Sequence, residues 1–240
     1  MESIIRSTRA RREFLVAGGT LFASLAAMSP TASRAAETAR PAADAAPEVS
    51  TLEDLMREHG ALRRILLMYD HVSGLLSSGK EFPVEILTQT LDIVRRFVQD
   101  YHEYLEEQYL FPRFQKAGKL VDLTKVLLAQ HNAGRRLLDQ IKALVTAEAL
   151  KNPGQQKSLA ERLRLFTRMY RPHAAREDTI LFPAFHGIVT AKEYDALGDT
   201  FEDKEQELFG KDGFETIVAR IAEMEQKMGV YDLAQFTPAL

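Results

Sequence analysis

The sequence contains no cysteine and no tryptophan among its 240 residues. Without cysteine the chain can form no disulfide, no thiolate zinc site and no iron–sulfur cluster, and it has no cysteine nucleophile. A metal would have to be held by histidine and carboxylate side chains, which favours iron, manganese or zinc. The net charge is only −3, so we expect no nucleic-acid partner. No apolar run reaches the roughly 20 residues of a membrane-spanning helix.

The first 35 residues have the pattern of an export signal. Residues 1–13 carry four arginines, and residues 14–28 form an uncharged, mostly apolar run. Ser33-Arg34-Ala35 offers a cleavage site. The segment Ala10-Arg11-Arg12-Glu13-Phe14-Leu15-Val16 resembles the twin-arginine motif, although Ala and Val replace the usual Ser/Thr and Lys at its ends. We expect export by the twin-arginine route, with ordinary secretion as the alternative, and a periplasmic protein without membrane attachment after cleavage.

The rest of the chain predicts an all-α fold. Residues 36–50 are rich in alanine and proline and predict a disordered linker. Over residues 51–187 the apolar side chains recur at three- and four-residue steps, which is typical of helices. Turn-forming segments divide this stretch into four helices with short connections. This organisation predicts an antiparallel up-down four-helix bundle, followed by a C-terminal helical extension over residues 188–240.

Several local signals predict where the helices begin and end. Thr51 is expected to cap the first helix and Asp122 the third, and the fourth helix is expected to begin near Ser158. Pro172 lies inside the fourth helix and predicts a kink or a break there. The mildly apolar tail, residues 231–240, is expected to pack back on the bundle or to form an interface, which leaves a homo-oligomer open.

The most specific feature of the sequence is a repeat. Residues 102–112 and 173–183 both read H-x-x-x-E-(E/D)-x-x-L-F-P, and the lone histidines His59 and His131 precede them by 43 and 42 residues. On a helix, residues four apart share a face, so the histidine and glutamate of each copy point the same way. One such motif is weak, and a lone histidine on an apolar face is more often a packed core residue; two copies in register are much more specific.

A metal centre in the bundle core would explain why the repeat carries carboxylates. A buried carboxylate is costly unless it is paired or coordinated, and two metal ions sharing both repeat glutamates would neutralise them. The remaining positive charge suits an oxo, hydroxo or peroxo bridge. His71 and His186 do not fit the repeat and are expected at the surface. The candidate metal ligands are His59, His102, Glu106, His131, His173 and Glu177.

With these residues the chain resembles the hemerythrin-like (HHE cation-binding) family over Thr51–His186. The resemblance implies two non-haem iron ions with an oxo or hydroxo bridge, held inside a four-helix bundle by those six residues. Oxygen-carrying members of the family have a second histidine on the third helix, where this chain has Arg135. They also have an aspartate five residues after the last histidine, an offset that Asp178 occupies. The repeat register favours Glu177 instead, although a local bulge near Pro172 would reverse this choice.

Two further residues could face the predicted centre. Arg135 is either a contact for an anion, a peroxide or a bridging carboxylate, or a surface arginine. Tyr109 either fills an open metal position or packs in the core. The missing fifth histidine indicates a protein that binds or senses O2, NO or peroxide at an open di-iron site, with a small diatomic or peroxide molecule as its partner. The alternatives are an oxidoreductase that consumes peroxide or NO, and an iron-handling module. No catalytic residue outside the metal site is predicted.

Overall fold

The computed structural model describes residues 49–239, so the predicted export signal and nearly all of the predicted linker lie outside the described residues. Within residues 49–239 the protein is all-α, with six helices and no strand. The predicted fold class is therefore confirmed. None of the described helices combines the length and the apolar character needed to cross a membrane.

The six helices are numbered in chain order. Helix α1 is Thr51–Ser77, α3 is Val121–Leu144, α5 is Ala191–Phe209 and α6 is Gly213–Met228. Two longer helices contain π-helical turns. Helix α2 covers residues 84–117, in which α-helical Val84–Ile93, Glu103–Leu105 and Phe111–Ala117 alternate with π-helical Val94–His102 and Glu106–Leu110. Helix α4 covers residues 153–185, in which π-helical Glu177–Leu181 separates α-helical Pro153–Arg176 from Phe182–Phe185. Short 3-10 turns occur at Ala149–Lys151 and Leu233–Phe236.

Helices α1 to α4 form a bundle around one apolar core. Helices α1 and α3 each contact both α2 and α4, and the short connections make consecutive helices antiparallel. Each helix turns a stripe of apolar side chains inward; in α1 this stripe includes Leu55, Leu62, Ile65 and Tyr69, all at most 2% exposed. Helix α6 packs against α1 and α2, and α5 packs against α1. The C-terminal helices thus cover one side of the bundle.

Two of the predicted helix starts are wrong, for local reasons. Helix α4 begins at Pro153 and not near Ser158, because the Asn152 side chain accepts hydrogen bonds from the next free backbone N–H groups, at 2.8 and 3.2 Å. Asp122 does not cap α3. Helix α3 instead follows Leu120, whose φ of 52° places it in the left-handed region, and Asp122 lies in the first turn.

Pro172 does not break α4. The proline is exposed and lies inside the α-helical part, so water can reach the carbonyl group that its missing N–H leaves without a partner. The irregular turn of α4 comes later, at Glu177–Leu181.

For the C-terminal tail, the expectation that it packs back on the bundle is wrong. Leu233 is 78% exposed and Phe236 49% exposed, so these side chains do not pack back on the bundle.

Candidate metal centre

The six predicted ligand residues meet inside the four-helix bundle. Each is at most 3% exposed. They come from all four helices: His59 from α1, His102 and Glu106 from α2, His131 from α3, and His173 and Glu177 from α4. Apolar core residues surround the group, so any metal held here is shielded from bulk water.

The four histidines form two pairs. The Nε2 atoms of His59 and His102 lie 2.9 Å apart, and these residues are called the first pair. The Nε2 atoms of His131 and His173 lie 3.1 Å apart, and these residues are called the second pair. In each pair one histidine belongs to a repeat and the other is a lone histidine of the sequence.

Each histidine also has an oxygen acceptor at its other ring nitrogen. A carboxylate or amide oxygen accepts, so Nδ1 carries the ring proton and donates it, which leaves the lone pair of Nε2 facing the centre. These four acceptors are called the outer partners. They are Asp178 for His59 at 2.7 Å, Glu58 for His102 at 2.6 Å, Glu107 for His131 at 2.9 Å, and Gln130 for His173 at 2.9 Å.

The two repeat glutamates lie between the histidine pairs. Glu106 has one carboxylate oxygen 3.6 Å from Nε2 of His102 and the other 3.4 Å from Nε2 of His131. Glu177 has one oxygen 3.1 Å from Nε2 of His173 and 3.4 Å from Nε2 of His59. Its second oxygen lies 4.0 Å from Nε2 of His131. Each glutamate therefore reaches both pairs.

This donor set fits metal cations. All four carboxylate oxygens of Glu106 and Glu177 are buried and accept no hydrogen bond from the described residues. When both imidazoles of a pair are neutral, their lone pairs face each other at 2.9 or 3.1 Å and repel unless a cation, either a proton or a metal ion, lies between or beside them. Two nitrogen ligands at right angles on one metal ion, at metal–nitrogen distances of about 2.1 Å, lie roughly 3.0 Å apart. The histidine pairs have this spacing, and the buried carboxylates supply the negative charge that a cation needs.

Ionisation in the metal-free centre reflects the competition between burial and pairing. Burial alone would lower the pKa of His59, but its hydrogen bond with Asp178 and the nearby carboxylate of Glu177 raise that pKa to about 9. Burial and the charge of Glu177 raise the pKa of Glu106. Glu177 is itself buried, but the electrostatic influence of the neighbouring His173 ring outweighs burial and lowers its pKa. Without metal, the two facing carboxylates therefore disfavour each other's ionisation, which raises the pKa of Glu106.

The phenylalanine of each repeat holds the lone histidine of another helix. Phe111 stacks on His131, with ring centroids 5.5 Å apart and planes at 23°. Phe182 stacks on His59 in the same way, at 5.6 Å and 14°. The acidic residue after each repeat glutamate accepts a hydrogen bond from that same lone histidine. Each repeat therefore contributes one histidine and one glutamate to the six-residue group, and two residues that orient a lone histidine of a neighbouring helix.

The same π-helical turn occurs in both copies of the repeat. The N–H of Phe111 donates to the carbonyl of Glu106, and that of Phe182 donates to the carbonyl of Glu177, so both bonds span five residues. A proline follows each phenylalanine and ends the turn. The widening in α4 begins at Glu177, so the step from His173 to Glu177 remains α-helical and Glu177 stays on the face of the ligand histidine.

Asp178 and Arg135 lie behind the histidines. Asp178 binds His59 through Nδ1 and also pairs with Arg63. The guanidinium of Arg135 lies 2.8 Å from Glu107 and 3.0 Å from Glu103, so it pairs with outer carboxylates. The expectation that Arg135 contacts a bridging carboxylate is wrong, because its side chain runs along the outside of the second pair.

The remaining candidates lie away from the centre. Tyr109 packs edge-on against Phe201 of α5, with ring centroids 5.6 Å apart, as expected for a packing residue. His186 is exposed and its ring lies 4.5 Å from that of Tyr194. His71 is half-buried, and neither histidine belongs to the six-residue group.

The sequence interpretation missed several residues that support the centre. Glu58 and Gln130 each come directly before a lone histidine, so comparing the two halves of the chain would have singled them out. Glu103 had no such signal, because the second repeat has Ala174 at the matching position. It is 1% exposed and accepts a hydrogen bond from the Tyr170 hydroxyl at 2.6 Å.

The chain belongs to the hemerythrin HHE cation-binding domain family, whose model matches residues 50–185. It is also similar to uncharacterized proteins of Mycobacterium tuberculosis and Mycobacterium bovis, with 42% identity over 221 residues. The alignment covers 90% of this chain and 87% of those relatives. No solved structure matches the chain.

Proposed function

We propose that this chain is a non-haem di-iron protein that binds or senses O2, NO or peroxide. The observation that carries the proposal is the position of Glu106, whose two carboxylate oxygens face different histidine pairs at 3.6 and 3.4 Å. A carboxylate placed in this way is suited to bridge two cations, one at each pair. Glu177 offers a second bridge from the opposite helix. Two divalent ions would carry more positive charge than the two carboxylates neutralise, and an oxo or hydroxo bridge would balance the remainder.

The donor types support iron. Imidazole and carboxylate ligands suit iron, manganese and zinc, and iron sites that keep ligand positions open are typical of non-haem oxygen chemistry. Each position here has two imidazole nitrogens and shared glutamate oxygens, which leaves positions open for an added ligand. When bound, iron would supply reversible one-electron chemistry and direct coordination of a small molecule. The chain itself supplies the donors and holds their orientation through the outer partners.

The burial of the centre limits the size of the ligand. No ligand side chain is more than 3% exposed, and the rings of Phe111 and Phe182 cover the two lone histidines. A molecule the size of O2, NO or peroxide can enter through small side-chain motions. A larger substrate would have to separate the helices of a packed core. This supports a small ligand over an organic substrate.

The proposal is tested by the optical spectrum of the iron-loaded protein before and after addition of O2 or NO. We expect a di-iron spectrum that changes on addition, and its loss in His102→Ala. His186→Ala is the matched control, because this exposed histidine lies outside the centre. A protein that holds two irons but shows no change with either gas would contradict ligand binding.

The same preparation distinguishes the alternative functions. Steady consumption of peroxide or NO, lost in His102→Ala, would indicate an oxidoreductase. Release of iron on reduction, without any response to O2 or NO, would indicate iron handling. We favour ligand binding because the other buried acids beside the centre, Glu58 and Glu103, accept hydrogen bonds from His102 and Tyr170.

We also propose that residues 1–35 direct export to the periplasm by the twin-arginine route. The support is the sequence alone, with Arg11 and Arg12 before an uncharged apolar run. Replacing both arginines by lysine should keep the protein in the cytoplasmic fraction, while Arg6→Lys should leave export intact. Export that survives the double replacement would indicate the ordinary secretion route.

A further inference from the structure

The arrangement of residues around the centre on helices α1 and α2 is nearly repeated on helices α3 and α4. Each lone histidine is held by the acid that follows a bridging glutamate, and each of those acids pairs with an arginine four residues after the lone histidine. Each repeat histidine is held by the residue that precedes a lone histidine. The corresponding outer residues are Asp178 with Glu107, Arg63 with Arg135, and Glu58 with Gln130.

Of these three corresponding pairs, only Glu58 and Gln130 differ in chemical type, because one is an acid and the other an amide. Glu58 accepts from Nδ1 of His102 at 2.6 Å, and Gln130 accepts from Nδ1 of His173 at 2.9 Å. A carboxylate acceptor makes the imidazole a stronger electron donor toward a metal than a neutral amide does. We therefore expect Nε2 of His102 to be the stronger donor toward a bound metal ion. The lone histidines do not differ in this way, because both have a carboxylate partner that is paired with an arginine.

The surroundings of the two residues also differ. Glu58 is 2% exposed and lies in a group with Asp54 and Glu205 on the side of the first pair. Burial and these two acids raise the pKa of Glu58, and the positive charge of a metal ion on His102 would favour its ionised form. Gln130 is half-buried. Glu103 adds a carboxylate on the side of the second pair, but its oxygens are bound by Tyr170 and Arg135, so it does not accept from a histidine.

We propose that Gln130 makes the two metal positions unequal, so that the first pair binds its metal ion more tightly than the second pair. This inference rests on the proposed two-metal centre. It assigns Gln130 and Glu58 as positioning residues that act through a ligand histidine. Changes in such outer partners alter metal affinity by about 10–100-fold. The metal-free protein should therefore take up two ions in two separate steps, the first at His59 and His102.

The test is a Co2+ titration of the metal-free full chain, followed by visible absorption and by NMR of the imidazole Nδ1–H protons. Gln130→Glu adds the missing carboxylate and should tighten the weaker step about ten-fold. Glu58→Gln removes the carboxylate partner of His102 and should weaken binding of the first Co2+ ion by a similar factor. The double variant keeps the same total of amide and carboxylate partners and should reverse the order of filling. Circular dichroism of each metal-free variant checks that the helices remain.

The NMR signals assign each step to a histidine pair. The paramagnetically shifted Nδ1–H signal that moves in Gln130→Glu belongs to His173, and it should appear only with the second equivalent of Co2+. The signal that moves in Glu58→Gln belongs to His102 and should appear with the first. Simultaneous appearance of both signals, or Gln130→Glu leaving both dissociation constants unchanged, would overturn the inference while two ions still bind. A wild-type chain that takes up fewer than two Co2+ ions would overturn the two-metal centre and this inference with it.

Discussion

A Cβ atom on Gly134 would lie only 2.0 Å from the hydroxyl oxygen of Tyr170. The phenol occupies the space that a side chain at residue 134 would take, and from there it donates to buried Glu103 at 2.6 Å. Tyr170 also lies edge-on against the ligand His173, with ring centroids 5.5 Å apart. A glycine on α3 therefore allows a tyrosine of α4 to satisfy a carboxylate of α2 directly behind the second pair.

Gly134→Ala should destabilise the protein, although alanine is the better helix former. The clash must displace Tyr170 from a buried hydrogen bond, and overpacking of this kind costs roughly 1–3 kcal/mol. This exceeds the gain of about 1 kcal/mol from helix propensity. Denaturant unfolding of the metal-free protein measures the change. Gly74→Ala on α1 is the matched control, because a Cβ there meets nothing within 4 Å, and it should stabilise. Equal stabilisation by both variants would contradict the packing described.

Exchanging the acids of the second repeat for amides should separate the bridging role from the outer role. Glu177→Gln removes a carboxylate between the histidine pairs and should lower the metal content below two ions per chain. Asp178→Asn keeps an acceptor for Nδ1 of His59, so both ions should remain, with affinity lowered by about 10–100-fold. Elemental analysis after dialysis measures the content. The reverse pattern, in which Asp178→Asn loses metal and Glu177→Gln keeps it, would show that Asp178 is the ligand.

Arg135 should matter for stability more than for ligand chemistry. Its guanidinium pairs with Glu103 and Glu107, and Glu103 is 1% exposed, so Arg135→Gln leaves a buried carboxylate without its cation. The free energy of unfolding should fall by roughly 1–3 kcal/mol. The exposed neighbour Arg136 is the control, and Arg136→Gln should change stability by less than about 0.5 kcal/mol. A stable Arg135→Gln variant whose spectrum no longer responds to peroxide would instead place Arg135 in the ligand site.

Metal uptake should release protons and weaken as the pH falls. In the metal-free protein, the hydrogen bond with Asp178 and the nearby carboxylate of Glu177 outweigh burial and raise the pKa of His59 to about 9, and burial with the charge of Glu177 raises the pKa of Glu106. Both groups hold protons at pH 7, and a metal ion must displace them. The apparent affinity should therefore rise with pH and level off above about pH 9. Calorimetry in buffers of different ionisation enthalpy counts the protons. Uptake without proton release would contradict these ionisation states.

The repeat allowed much of the centre to be predicted from sequence. Identical spacing in two helices fixes which side chains share a face, and this is why all six proposed ligands are found together. The bundle followed from the helical spacing of apolar residues and the short connections. The same register favoured Glu177 over Asp178, and the structure places the Glu177 carboxylate between the histidine pairs.

Contacts between helices were less accessible to sequence reasoning. The partner of His102 is Glu58, 44 residues earlier on another helix, and only the packing of α1 against α2 brings them within 2.6 Å. The one-turn spacing between His131 and Arg135 left a contact at the centre and a surface position both open for Arg135, and only the contacts between helices show that it pairs with Glu103 and Glu107. The start of α4 was predicted near Ser158, although Asn152-Pro153 is itself a helix-starting signal, with asparagine as the cap and proline as the first helical residue.

The central claim is that the two histidine pairs hold two iron ions bridged by Glu106 and Glu177. The most direct measurement is the metal content of the protein purified from its native compartment, together with its Mössbauer spectrum. We expect two irons per chain and a Mössbauer signal of magnetically coupled ions. Less than one metal per chain, or zinc alone, would contradict it.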